Sequence, residues 1–189
     1  MVTSVPALTE EAFRELLDDR GILRSGALSS PALERSYAVF SQAPDARLDV
    51  DAIKRQAERF FAARVGLTVD KRYQDQPPER DAARIVIAGD DGASSGTRLC
   101  YGRPVDAADL AAAEEAERVV GTYGLALLAQ RCKTIWLVVP EIEEDRAALT
   151  LAAIFASQML GPILSPGGRS IYGVRGARLE LERRSSPYR

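Results

Sequence analysis

The sequence predicts an α/β (or α+β) fold, a mixed β-sheet of about five strands with packed helices, preceded by a helical N-terminal segment. Three observations carry this expectation. Apolar residues recur at helical spacing through residues 9–61. Residues 133–141, KTIWLVVPE, form a continuous apolar run of the kind buried on both faces of a sheet. From Arg84 onward strand-like and helix-like segments alternate, as they do when helices pack on a sheet. Residues 1–70 are thus expected as the helical segment and residues 82–184 as the mixed-sheet core. A chain of 189 residues accommodates both in one continuous domain.

In the first segment, Thr9 caps a helix whose opening turn carries Glu10 and Glu11, with Phe13, Leu16 and Leu17 on one face until Gly21. Ser30 followed by Pro31 reads as a second helix start, placing Leu33, Tyr37 and Phe40 on one face up to Pro44. Asp49 or Asp51 begins a third, where Val50, Ile53, Ala57, Phe60 and Phe61 keep the helical period until Gly66. Phe60 and Phe61 are its expected core anchors. Val65, Leu67 and Val69 alternate as an edge strand would, and residues 72–82, with Pro77 and Pro78, break all periodicity.

In the core, residues 84–88 (RIVIA) and 97–102 (TRLCYG) read as strands. Asp106 caps a long helix with Asp109 in a capping-box position, and Leu110, Ala113, Ala116, Val120, Leu127 and Leu128 share a side. Gly121 and Gly124 interrupt that helix at a cost of about 1 kcal/mol each relative to alanine. Close packing is the expected reason, a kink the alternative. Residues 133–141 should form the central strand, and residues 144–160, apolar nearly all round, a helix buried between the sheet and a further layer. Residues 170–175 and 177–184 read as strands hinged at Gly176, the last alternating Leu179 and Leu181 with charges. The strand–helix–strand steps favour parallel pairing in the middle of the sheet and hairpins at its ends.

Composition narrows the chemistry. Histidine is absent, which removes the usual general base near neutral pH and the commonest transition-metal ligand. A Ser-His-Asp or Cys-His machine, a zinc site requiring histidine and a haem with a proximal histidine are excluded. Cys100 and Cys132 stand in apolar contexts without a CxxC pair and are expected as buried reduced thiols. The formal net charge of −2 gives no basic footprint, so nucleic acid is not expected as a partner. The long acidic SQAPDARLD segment also argues against a helix-turn-helix reader. No apolar run reaches the roughly 20 residues that span a bilayer, and the first residues lack a signal-peptide pattern, so a cytoplasmic protein without membrane contact is expected.

The segment Gly89-Asp90-Asp91-Gly92-Ala93-Ser94-Ser95-Gly96 is the most conspicuous motif. It lacks the lysine and following helix of a phosphate-binding loop, and its glycine spacing is not that of a dinucleotide fingerprint. A hairpin turn rich in Gly, Asp and Ser is the favoured reading. As candidate metal ligands, Asp90 and Asp91 could hold Mg²⁺ or Ca²⁺ where a turn makes them converge. Arg103, before the long helix, is the candidate anion-binding residue, although Asp106 and Asp109 already occupy the positive helix end. The acids of residues 141–145 fit the start of the following helix.

With no catalytic residue assigned and no cofactor required, the expected function is a binding or assembly module acting through a protein partner, as a homo-oligomer. Regulatory, adaptor and immunity-like roles all fit. The alternative is a small histidine-independent enzyme or metal-dependent ligand binder with its site around Asp90, Asp91 and Arg103.

Overall fold

The computed structural model describes residues 9–68, 79–89 and 95–185. Among them, seven strands form one sheet: β1 (Tyr37–Ser41), β2 (Ala63–Leu67), β3 (Asp81–Gly89), β4 (Gly96–Pro104), β5 (Thr134–Val138), β6 (Ile163–Leu164) and β7 (Ile171–Tyr172). Their order is β2-β3-β4-β5-β1-β6-β7, and every pairing is antiparallel. Six helices accompany the sheet: α1 (Glu10–Glu15), α2 (Val50–Phe61), α3 (Ala107–Val120), α4 (Leu125–Ala129), α5 (Arg146–Met159) and α6 (Val174–Ser185). Among the described residues no helix is long and apolar enough to cross a membrane.

The α/β class holds, with β5 in the middle of the sheet and all five of its residues buried. Thr9 and Asp106 cap α1 and α3 as their sequence patterns predict, and the capping box with Asp109 is present. Cys100 and Cys132 are free and buried.

Five expectations are corrected. The sheet has seven strands rather than about five: β2 is the expected edge strand around Val65 and Leu67, β1 and β6 are additional, and residues 177–184 do not form a strand. Residues 37–41 form β1, between β5 and β6, where the predicted second helix gives only a 3₁₀ turn at Leu33–Arg35. The run Tyr37-Ala38-Val39-Phe40 is buried on both faces: Tyr37 and Val39 enter one core, Ala38 and Phe40 the other. Leu33, Tyr37 and Phe40, at i, i+4 and i+7, mimicked a helical face, whereas the β-branched and aromatic content of the run suits a strand.

Second, the middle of the sheet is antiparallel. Gly121 (φ 71°) ends α3 and Gly124 (φ 112°) begins α4, both in left-handed backbone. The two glycines turn the chain back, so β5 starts beside the end of β4, with Thr134 opposite Pro104. A methyl group at either glycine would meet open space, so conformation rather than close packing selects glycine there. The helix spanning β5 to β6 does return the chain in the same direction, but β1 lies between those strands.

Third, residues 174–185 form a helix, α6, in place of the expected strand 177–184, while the expected strand 170–175 is shortened to Ile171–Tyr172 in β7. Arg, Glu, Ala and Leu are strong helix formers, and Glu180 bonds both Arg183 and Arg184 at helical spacing. Fourth, Phe60 is not a core anchor: it is 39% exposed, with the Arg59 guanidinium 5.0 Å from its ring centroid. Fifth, the acids of residues 141–144 precede α5, which has no acid in its first turn.

The sheet is covered on both sides. α2, α5 and α6 contribute to the larger core, with the Trp136 and Phe155 rings in an edge contact at 5.5 Å. α3 and α4 pack on the opposite face beside Ile135 and Leu137, and α1 packs there against Ala82 and Tyr101. Helix α5 is buried along nearly its whole length between the sheet and the outer helices.

Two glycines make this packing sterically possible. A Cβ at Gly161 would stand 1.5 Å from the Phe40 carbonyl oxygen, and one at Gly102 2.6 Å from the Trp136 indole. Gly161→Ala is therefore expected to cost at least about 3 kcal/mol and Gly102→Ala about 1–3 kcal/mol. Gly66→Ala, at a position with nothing within 4 Å, should change stability by less than about 1 kcal/mol. Urea unfolding midpoints of the three variants check this ranking.

Candidate functional site

Asp90 and Asp91, the candidate metal ligands, lie outside the described residues. Their segment does join consecutive antiparallel strands, β3 and β4, with Ile87 opposite Gly96. Among the described residues no group of three or more His, Cys, Asp or Glu side chains is placed to hold a metal ion.

Arg103 stands near the end of β4, and its guanidinium has internal partners. Its Nη1 and Nη2 donate to the two carboxylate oxygens of Asp109 at 2.6 and 2.7 Å, and Nε donates to Ser30 Oγ at 3.0 Å. Asp109 hydrogen bonding raises the Arg103 pKa further, against the effect of burial. An external anion would have to compete with a carboxylate that is 1% exposed and already bidentate.

A second arginine was not singled out from the sequence. Arg98, on the face of β4 that carries Cys100 and Gly102, has a side chain only 7% exposed. Its Nε and Nη2 donate to Asp145 Oδ2 and Oδ1 at 2.6 and 3.0 Å, and Glu141 lies 3.0 Å from its Nη1. Asp145 also caps α5, accepting from Ala148 N at 3.0 Å, and accepts from Glu141 N at 2.9 Å. Gly96 (φ 148°) leaves room for this pair, since a Cβ there would stand 2.6 Å from Arg98 Nη1. The available signal was a charge on the inward alternation of a strand, matched by an aspartate at a helix start.

Asp145 fixes the start of α5, and the other end of that helix opens onto a surface groove. This is an apolar groove of about 910 Å³. Phe60 and Gln56 line it from α2, and Ala156, Ser157 and Leu160 from the end of α5. Val174, Arg175, Arg178, Leu179 and Glu182 contribute from α6, and Leu128 from α4. Leu160 is 71% exposed and Leu179 56% exposed, unusual values for leucine side chains that share one groove. Beside Leu128, Leu127 and the fully exposed Tyr123 extend apolar surface along the α3–α4 turn.

Neither Leu160 nor Leu179 was recognised from the sequence as part of a surface. Leu160 read as the last buried turn of a helix, and Leu179 as the inward position of an edge strand. On α6, Ala177, Val174 and Leu181 face the core instead, which leaves Leu179 outside. Comparison with protein-family models, with curated proteins and with solved structures finds no match. The surface chemistry itself therefore carries the functional reading.

The charge pairs also set a pH response. Burial pushes the Asp145 pKa up, but Arg98 and two backbone N–H groups outweigh it, and the net shift is below 3.8. Hydrogen bonds from Arg183 and Arg184 hold Glu180 at about 2 against an ordinary 4.5. Carboxylates with depressed folded-state pKa values stabilise fully above their unfolded values and lose that contribution as pH falls through the folded ones. The thermal midpoint should accordingly fall from about pH 5 toward about pH 2. Asp145→Ala is expected to cost about 3–5 kcal/mol at neutral pH, through the orphaned Arg98 and the lost cap. Asp145→Asn should show a shallower acid decline than the parent, measured by thermal melts across that range; an equal decline would contradict the role given to Asp145.

Proposed function

We propose that this protein is a non-catalytic binding or assembly module that works through protein–protein contacts, with the groove between α2, the end of α5 and α6 as its docking surface. The carrying observation is the exposure of Phe60, Leu160 and Leu179 together in one groove. Leaving that much apolar side chain in water is unfavourable by about 25 cal/mol per Å², and covering it with a partner recovers this free energy. The rim suits a protein rather than a small apolar ligand, since Arg175, Arg178 and Glu182 can pair with charges of a partner while the leucines are desolvated. A regulatory or adaptor role fits this reading, and the cytoplasm is the compartment proposed with it.

The rest of the chemistry is consistent with binding rather than catalysis. Histidine is absent from the chain. The two buried arginine–aspartate pairs tie strands to helix starts, Arg98 to α5 through Asp145 and Arg103 to α3 through Asp109.

A photo-crosslinking residue placed at Leu179 tests the proposal in the cells that produce the protein. Illumination should yield covalent adducts with protein, and the same residue at Glu114, on the exposed side of α3, should not. Equal labelling at both positions, or none at Leu179, would contradict docking at the groove.

A further inference from the structure

We infer that the occupant of the groove is a second copy of this chain, docked by antiparallel packing of α6 against α6 about a two-fold axis. This rests on the reading of the groove as a docking surface and adds the partner and its register. The charge order on the helix selects this pairing. Arg175, Arg178, Leu179 and Glu182 occur at i, i+3, i+4 and i+7, so they form one stripe, and all four are exposed. The neighbouring Glu180 is ion-paired with both Arg183 and Arg184 within the helix. Arg175, Arg178 and Glu182 take no ion pair among the described residues.

An isologous interface requires a self-complementary patch. This stripe meets that requirement in one orientation. With the axis crossing α6 midway between Arg178 and Leu179, Arg175 of each copy meets Glu182 of the other, and Arg178 lays its aliphatic stem over Leu179. Arg175 and Glu182 are about 10 Å apart along the helix, so two ion pairs flank the apolar centre. Parallel packing would instead set Arg175 beside Arg175 and Glu182 beside Glu182. The antiparallel pairing also covers Leu179, and Leu160 and Phe60 lie in the same groove.

Sedimentation equilibrium of the full chain and three variants tests the pairing. The parent protein should sediment at twice the chain mass at micromolar concentration. Glu182→Arg places like charges at both flanks and should raise the dissociation constant at least about 10-fold. Arg175→Glu combined with Glu182→Arg restores opposite charges with their signs exchanged, and should return the constant to within about 3-fold of the parent. Leu179→Asp should give a monomer that keeps the parent's circular dichroism spectrum and whose thermal midpoint, unlike the parent's, does not rise with protein concentration.

A parent protein that stays monomeric while Leu179 still crosslinks to a different protein would overturn the second copy as occupant and leave the groove as a docking surface. A monomer with no crosslinks would overturn both. A dimer indifferent to Glu182→Arg, or a double variant that fails to recover, would overturn the antiparallel register.

Discussion

The carboxylate of Asp145 is the point on which the arrangement of this molecule depends. It accepts four hydrogen bonds, two from Arg98 on β4, one from the backbone of Glu141 after β5, and one from the first turn of α5. Desolvating two charges offsets most of the Coulombic gain of pairing them, so the pair contributes position more than net stability. Apolar packing alone would let α5 slide, because its surface of Ala, Leu and Ile offers many near-equivalent seats on the sheet. A fully satisfied buried carboxylate admits one seat. From that anchored start, fourteen residues of α5 carry Ser157 and Leu160 to the groove at the far end.

At that far end the constraint is steric instead of electrostatic. Gly161 lets the chain leave α5 directly against the Phe40 carbonyl, and Gln42 Nε2 donates to the Leu160 carbonyl at 2.7 Å. Leu160 is held in left-handed backbone (φ 54°), an uncommon conformation for leucine, with its side chain directed to solvent. An outward leucine in such a conformation, fixed at both sides by backbone contacts, suits a surface that is presented rather than one left over from folding.

Sequence and structure agree where a segment's pattern had a single physical reading. The run around Trp136 could only be a buried strand, and Asp106 with Asp109 could only open a helix. They diverge where two periods coincide. Residues 37–40 satisfy both helical spacing and a strand buried on two faces, and residues 177–184 alternate while consisting of helix formers. Tertiary context decided each case: β1 fills the gap between β5 and β6, and α6 covers α5. The antiparallel centre depended on two glycines whose left-handed conformation a sequence does not specify. The groove was illegible for a related reason, because Phe60, Leu160 and Leu179 look like core residues until the neighbouring elements are in place. Arg98 was hidden among the chain's 22 arginines, which stand against three lysines.

On the proposed function, the face formed by α2, the end of α5 and α6 is covered by protein when this chain does its work. Hydroxyl-radical footprinting compares that face between the producing cell and the dilute purified chain, with Val86 and Ile142, exposed elsewhere on the surface, as internal references. Oxidation of Phe60, Leu160 and Leu179 is predicted to fall at least about threefold in the cell relative to those references, as expected for side chains at the centre of a desolvated interface. Equal oxidation of all five residues in both settings would contradict the account.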